Sequence, residues 1–267
     1  MPNRIDSRFQ KLRESQKTGF IAYITAGDPA PAATPDLAAA LEAAGVDILE
    51  LGIPFSDPLA DGATIQAAAG RAIAAGTTVS VVLDIVRKIR VSSEIPIVLF
   101  TYLNPVYIYG YERFLKDASA AGADGLLVLD LPPDEVSENA GLAGAAGLLS
   151  IRLIAPTTPP GRMELIAKSA EGFIYYVSRE GVTGEQASLP QSISSQVAEI
   201  RKHTTLPVAV GFGISTPDQA AEVARHADAV VVGSAIVRKI AEAGSGPGLA
   251  GAIASFAGSL AAAVRGA

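Results

Sequence analysis

Glu50 lies inside the apolar run Ile48-Leu49-Glu50-Leu51, and Asp61 closes the proline-bearing stretch Gly52-Ile53-Pro54-Phe55-Ser56-Asp57-Pro58-Leu59-Ala60-Asp61-Gly62. A strand glutamate can be a snorkelling surface acid or half of a buried ion pair, and an aspartate beside a glycine can simply serve a turn. Where both faces of the strand are covered, an unpaired carboxylate is costly or takes up a proton, which brings it into the range of a general acid. Three glycine clusters form a second group: Arg179-Glu180-Gly181-Val182-Thr183-Gly184, Gly211-Phe212-Gly213 and Gly233-Ser234. Each lets the backbone approach an anion, and the last adds a hydroxyl at a helix start, so together they read as a phosphate cup. Tyr23, Tyr102, Tyr175 and Phe212 are the aromatic candidates. An aromatic in a strand is usually core, but as a set these suggest a flat apolar compartment.

What is missing narrows the chemistry. No lysine falls in a predicted strand, so a Schiff-base nucleophile is lacking, and the only histidines, His203 and His226, fall in or beside helices, which leaves no plausible zinc site. No GxGxxG opens the first helix, and with no cysteine there is no thiolate ligand, nucleophile or disulfide. Acid–base chemistry without a cofactor remains.

The elements that must position these groups follow from texture. Residues 4–15 read as an amphipathic helix with Ile5, Phe9 and Leu12 on one face. Eight β-branched apolar runs then alternate with helical stretches: 20–25, 47–51, 95–101, 125–129, 148–154, 172–178, 207–210 and 229–232. Helices are expected at 35–44, 79–91, 111–121, 134–146, 160–169, 192–202, 217–225 and 247–265, with a short one at 235–242. Ala44-Gly45-Val46-Asp47 and Ala121-Gly122-Ala123-Asp124 repeat one pattern, a helix end, a left-handed glycine and a strand start. Strict alternation of this kind predicts α/β architecture, a single (β/α)₈ TIM barrel over 1–267 with an extra N-terminal helix, in preference to a doubly wound sheet. Strand carboxyl ends are then where Glu50, Asp61 and the glycines gather.

Composition agrees with that frame. The 267 residues carry a net charge of −6 and no clustered Lys/Arg stripe, so nucleic acid is not an expected partner. No secretory signal or membrane-length apolar run is read, and a cytoplasmic location without membrane association is expected.

These residues resemble one family, the tryptophan synthase α subunit. The resemblance runs through Ala26-Gly27-Asp28-Pro29, the whole of Glu50–Gly62, Tyr102, Asn104, Asp130-Leu131-Pro132, Ser178-Arg179, Gly181-Val182-Thr183-Gly184, Gly211-Phe212-Gly213-Ile214 and Gly233-Ser234-Ala235-Ile236-Val237. It implies retro-aldol cleavage of indole-3-glycerol phosphate, with Glu50 and Asp61 as catalytic residues. It implies substrate contacts at Tyr23, Tyr102, Leu127, Tyr175, Thr183, Gly184, Phe212, Gly213, Gly233 and Ser234, of which Gly184, Gly213, Gly233 and Ser234 take the phosphate and Tyr23, Tyr102, Leu127 and Tyr175 the indole. It also implies that the loops after the second and sixth strands close over the substrate. The implied partner is a β subunit in an α₂β₂ heterotetramer, docking around Pro54, Asp57, Asn104 and Pro132. Pyridoxal phosphate is expected only in that partner. Two positions depart from the family's commonest pattern: Ala63 stands where many relatives carry proline, and Glu180 adds a negative charge to a loop near the phosphate cup.

Overall fold

The computed structural model describes residues 3–131, 142–177, 193–211 and 213–267. Its strands are β1 (Gly19–Thr25), β2 (Ile48–Gly52), β3 (Ile97–Thr101), β4 (Gly125–Val128), β5 (Leu149–Ser150), β6 (Arg152–Ile154), β7 (Ile174–Val177), β8 (Val208–Gly211) and β9 (Ala229–Val232), in the order β5-β4-β3-β2-β1-β9-β8-β7-β6. All the pairings are parallel. β5 pairs with β4 and β6 with β7, and only Ile151 separates them, so one stretch of chain hands the sheet from one edge to the other. The expected strand 148–154 is thus two short ladders around an inward-facing residue, and the eight-strand barrel closes there.

Most of the anticipated helices occur, Tyr111–Ala121 with the expected ends and others, such as Thr34–Ala43, Val79–Arg90 and Leu249–Arg265, with ends shifted by one or two residues. Most of the stretch expected as helix 134–146 lies outside the described residues. Among the described residues, two α-helices have no counterpart in the sequence-based expectation: Ala63–Ala74, directly behind Asp61, and Leu103–Tyr109, directly behind Tyr102. Gly45 and Gly122 close their helices with φ of 99° and 100°, the left-handed geometry the repeated pattern calls for.

The aspartates that end that pattern, and Asp228 ahead of β9, have a second task. Asp47 accepts the N–H of Phe20, Asp124 that of Ile97, and Asp228 that of Val208, at 2.8–2.9 Å. Each carboxylate at the start of one strand therefore satisfies a backbone donor at the start of the strand beside it. Arg4 and Arg90 pair with Asp124, and Arg8 and Arg265 with Asp47.

Arg4 and Arg8 belong to the first helix, Arg4–Glu14, which closes the amino-terminal end of the barrel. Ile5, Phe9 and Leu12 join a buried cluster with Ile21, Ile48, Val98, Leu127, Ile151 and Phe173 from the strands and their starts. A Cβ at Gly125 would come within 2.9 Å of Ile5, and one at Gly19 within 2.9 Å of Leu12, so the strand starts carry glycine where the helix presses on them. Burying each of these side chains contributes about 2 kcal/mol. With the lower end sealed by this apolar plug, the open space lies at the carboxyl ends.

Candidate active site

Strand pleating decides where Glu50 points. Ile48 belongs to the interior cluster, and Glu50, two residues on, shares its face; the register sets Glu50 beside Tyr23 of β1 and Val98 of β3. Glu50 is fully buried, and neither carboxylate oxygen has a hydrogen-bond partner. Burial alone pushes its pKa up to about 8.

Asp61 enters from the loop after β2 and sits at the threshold of helix Ala63–Ala74, its own N–H bonded to Pro58 and its carbonyl accepting from Gln66 Nε2 at 2.8 Å. It is 8% exposed. Desolvation raises its pKa to about 6, opposed by a hydrogen bond from Tyr102. The Tyr102 hydroxyl also accepts the Ala60 N–H at 3.0 Å, which ties the Asp61 loop to the end of β3. At neutral pH one carboxyl is therefore protonated and the other ionised, the division of labour an acid–base pair needs.

Both groups line a cavity that opens to solvent, with about 520 Å³ of empty space including its open mouth. Tyr23, Phe100 and Tyr175 form an aromatic wall, with Tyr23 and Phe100 edge to face at 5.2 Å, and Ile65, Ile214 and Val231 add apolar surface. Room for the tyrosines comes from glycine: a Cβ at Gly52 would lie 2.2 Å from the Tyr23 hydroxyl, and one at Gly211 2.3 Å from that of Tyr175. Tyr23 is buried and Tyr175 partly buried, and both phenols are held well above their ordinary pKa, first by desolvation and then by the neighbouring carboxylates. Gly213, Gly233 and Ser234 complete the lining. Ser234 opens helix Ser234–Ala243, whose first N–H groups have no partner within the helix, and with the helix dipole they present a positive end to the cavity.

The residues anticipated from sequence divide as follows. Glu50, Asp61, Tyr23, Tyr175, Gly213, Gly233 and Ser234 meet in the cavity. Leu127 is buried in the cluster of the barrel interior, and Tyr102 packs against Phe55 at 5.4 Å while bonding Asp61; neither lines the cavity. Thr183, Gly184, Phe212, Pro132, Glu180 and the loop 178–192 lie outside the described residues. Phe100 and Ile65 were missed. The alternation from Val98 could have placed Phe100 inward at the end of β3, whereas Ile65 rides on the unforeseen helix. A shallow groove includes Pro54, Phe55, Ser56, Ile73, Asn104 and Ile108, the last of them more than 70% exposed.

Glu50 has a measurable cost. Its folded pKa, about 8, stands above the ordinary 4.5, so the folded state holds a proton that the unfolded state has released. Stability is full below about pH 4.5 and is lost as pH rises toward 8. Glu50→Gln is therefore expected to unfold at higher urea than the parent at pH 9, by on the order of a few kcal/mol, with the gap closing by pH 5. Equal gaps at both pH values would show that Glu50 is not the titrating group.

Comparison with known proteins points in one direction. A family model described as tryptophan synthase alpha chain matches residues 9–262. The tryptophan synthase alpha chain of Geobacter sulfurreducens is 53% identical over 236 residues, covering 88% of this chain and 89% of its own, and that of Opitutus terrae is 48% identical over 264 residues, covering 98% and 99%. Among solved structures, the subunit alpha of Legionella pneumophila superposes with a TM-score of 0.88 at 40% identity, covering 99% of both chains. A tryptophan synthase structure from Mycobacterium tuberculosis superposes at 0.91 with 34% identity, again covering 99% of both.

Proposed function

The chain belongs to the tryptophan synthase alpha chain family, and from that premise we propose that it cleaves indole-3-glycerol phosphate to indole and glyceraldehyde 3-phosphate, with Glu50 and Asp61 as the catalytic pair on one barrel domain. The observation that carries this reading is a fully buried carboxyl without a hydrogen-bond partner, set between an aromatic wall and a helix N-terminus.

Indole is a poor leaving group as a carbanion, so C3 must gain a proton before its bond to the side chain breaks. Glu50, protonated at neutral pH, donates to C3. Asp61, ionised, accepts the ring N–H and stabilises the positive charge that C3 protonation creates. The Glu50 carboxylate then takes the proton of the 3′-hydroxyl as the C3–C3′ bond electrons return to the ring. The products are neutral indole and an aldehyde, and Glu50 ends protonated as it began. Tyr23 and Tyr175, with Phe100, hold the ring, while Gly213, Gly233 and Ser234 take the phosphate. Gly184, Thr183 and Phe212 belong to the same binding set, while Tyr102 acts through its hydrogen bond to Asp61 and Leu127 fills the barrel interior.

The reaction draws on no cofactor of this chain. Its partner is the tryptophan synthase β subunit, which carries pyridoxal phosphate and consumes the indole within a cytoplasmic α₂β₂ complex. The groove around Pro54, Asn104 and Ile108 is the surface for that partner, its exposed apolar side chains support this use, and Asp57 and Pro132 belong to the same docking set by the family resemblance. The purified chain is expected to release indole from indole-3-glycerol phosphate, and a β subunit from a close relative to raise that rate about tenfold or more. A folded chain that released no indole under either condition would overturn the reading.

A further inference from the structure

Asp61 stands at the start of helix Ala63–Ala74, but the strongest polar contact of that helix is near its other end. Arg71 donates from Nε and Nη2 to the two oxygens of Asp28, at 2.7 and 2.8 Å. Asp28 is 1% exposed and lies in the loop directly after β1, the strand that carries Tyr23. That loop is itself clamped. The Gly27 N–H donates to the buried Thr34 hydroxyl at 2.9 Å, and a Cβ on Gly27, at φ +86°, would fall 1.9 Å from Thr77 Oγ1 in the turn that ends the helix.

Elsewhere the helix rests on a small apolar face. Ile65 and Ala68 pack with Tyr23 and Val237. Ala69 and Ala72 are buried as well, but one isoleucine and three alanines hold two surfaces together without doing much to stop one rotating on the other. A bidentate guanidinium–carboxylate pair fixes direction as well as distance. The helix is also a lever, because about 12 Å separates its first turn from Arg71, so a tilt of about 5° at the pair shifts the Asp61 end by about 1 Å, enough to spoil a catalytic contact.

We propose that the Asp28–Arg71 ion pair is a positioning device that orients helix Ala63–Ala74 on the first strand and so holds Asp61 at the cavity wall. The inference rests on the reading of Asp61 as the group facing the ring N–H. The titratable groups facing Asp61 among the described residues are Tyr102 from the loop after β3 and Tyr23 from β1, with Glu50 of β2 in the same cavity.

The test uses Arg71→Gln, Arg71→Lys and, as a control, Arg265→Gln. Arg265 is a cation of similar exposure, 36% against 37%, on another buried aspartate, Asp47, at the opposite end of the barrel. Thermal unfolding, kcat and KM for indole-3-glycerol phosphate, and the carboxyl ¹³C titration of Asp61, assigned with Asp61→Asn, are measured for each. Arg71→Gln is expected to lower kcat about 10- to 100-fold with KM nearly unchanged, and to bring the Asp61 midpoint down toward the ordinary carboxylate range. Arg71→Lys should recover part of both, and Arg265→Gln should lower the Tm while moving neither. If Arg71→Gln loses only Tm, with kcat and the Asp61 titration as in the parent, the pair is merely structural and the proposal fails. If instead Asp61→Asn turns over normally, the assigned role of Asp61 falls, while the Asp61 titration in Arg71→Gln still decides whether the pair positions it.

Discussion

Glu50→Gln is expected to lower kcat for indole-3-glycerol phosphate by about three orders of magnitude while KM stays within a few fold. The amide keeps the shape of the side chain and removes only its exchangeable acid. Neither ring stacking nor phosphate binding passes through that group, because the aromatic wall and the Ser234 helix lie on other elements. The loss should therefore fall on the chemical step, which steady-state kinetics with a separate measurement of phosphate-ligand affinity would show. A variant that cleaved at the parental rate would remove Glu50 from the mechanism altogether.

Asp61→Asn should cost about 10²- to 10³-fold in kcat, for a different reason. The residue receives no proton from carbon; it faces the charge that forms when carbon is protonated, and asparagine offers a dipole where a full charge stood. The two variants are separable by pH. With Asp61 rising to about 6 and Glu50 to about 8, the parent should show a bell-shaped kcat/KM with its plateau between apparent values near those two. Asp61→Asn should flatten the acid limb of its residual activity, and Glu50→Gln the basic limb. An unchanged bell in both variants would assign the titrations to other groups.

Much of this was readable in the chain because charge and hydropathy conflict openly at a few positions. A glutamate between Leu49 and Leu51 has no comfortable place in a strand covered on both faces, and Glu50 is indeed buried without a partner. Glycine pairs at strand ends were equally legible, since Gly213 and Gly233 flank the space where a side chain would stand. Other features were hidden by ordinary physics. Helix Ala63–Ala74 starts from Gly62 with no side-chain cap and carries Gly70 in its middle, and Leu103–Tyr109 starts from Tyr102, also uncapped, with Pro105 in its first turn, so both read as loop. Phe100 obeys the same alternation as any core aromatic, and nothing local distinguishes a wall from a filling. The Asp28–Arg71 pair joins residues more than forty positions apart, beyond the reach of any local pattern.

The first helix also gives chain synthesis an order. Ile5 presses on Gly125 and Gly172, and Phe9 meets Phe173 at 5.6 Å between ring centroids. The helix precedes the barrel in sequence, yet the cluster that seats it runs from Ile21 to Val231, so its apolar stripe is fully covered only once the late strands are made. A nascent chain halted just before Phe173 and β7 would lack Phe173, Ala209, Ala229 and Val231 and so leave part of that stripe uncovered, a ready target for a chaperone that grips short greasy segments.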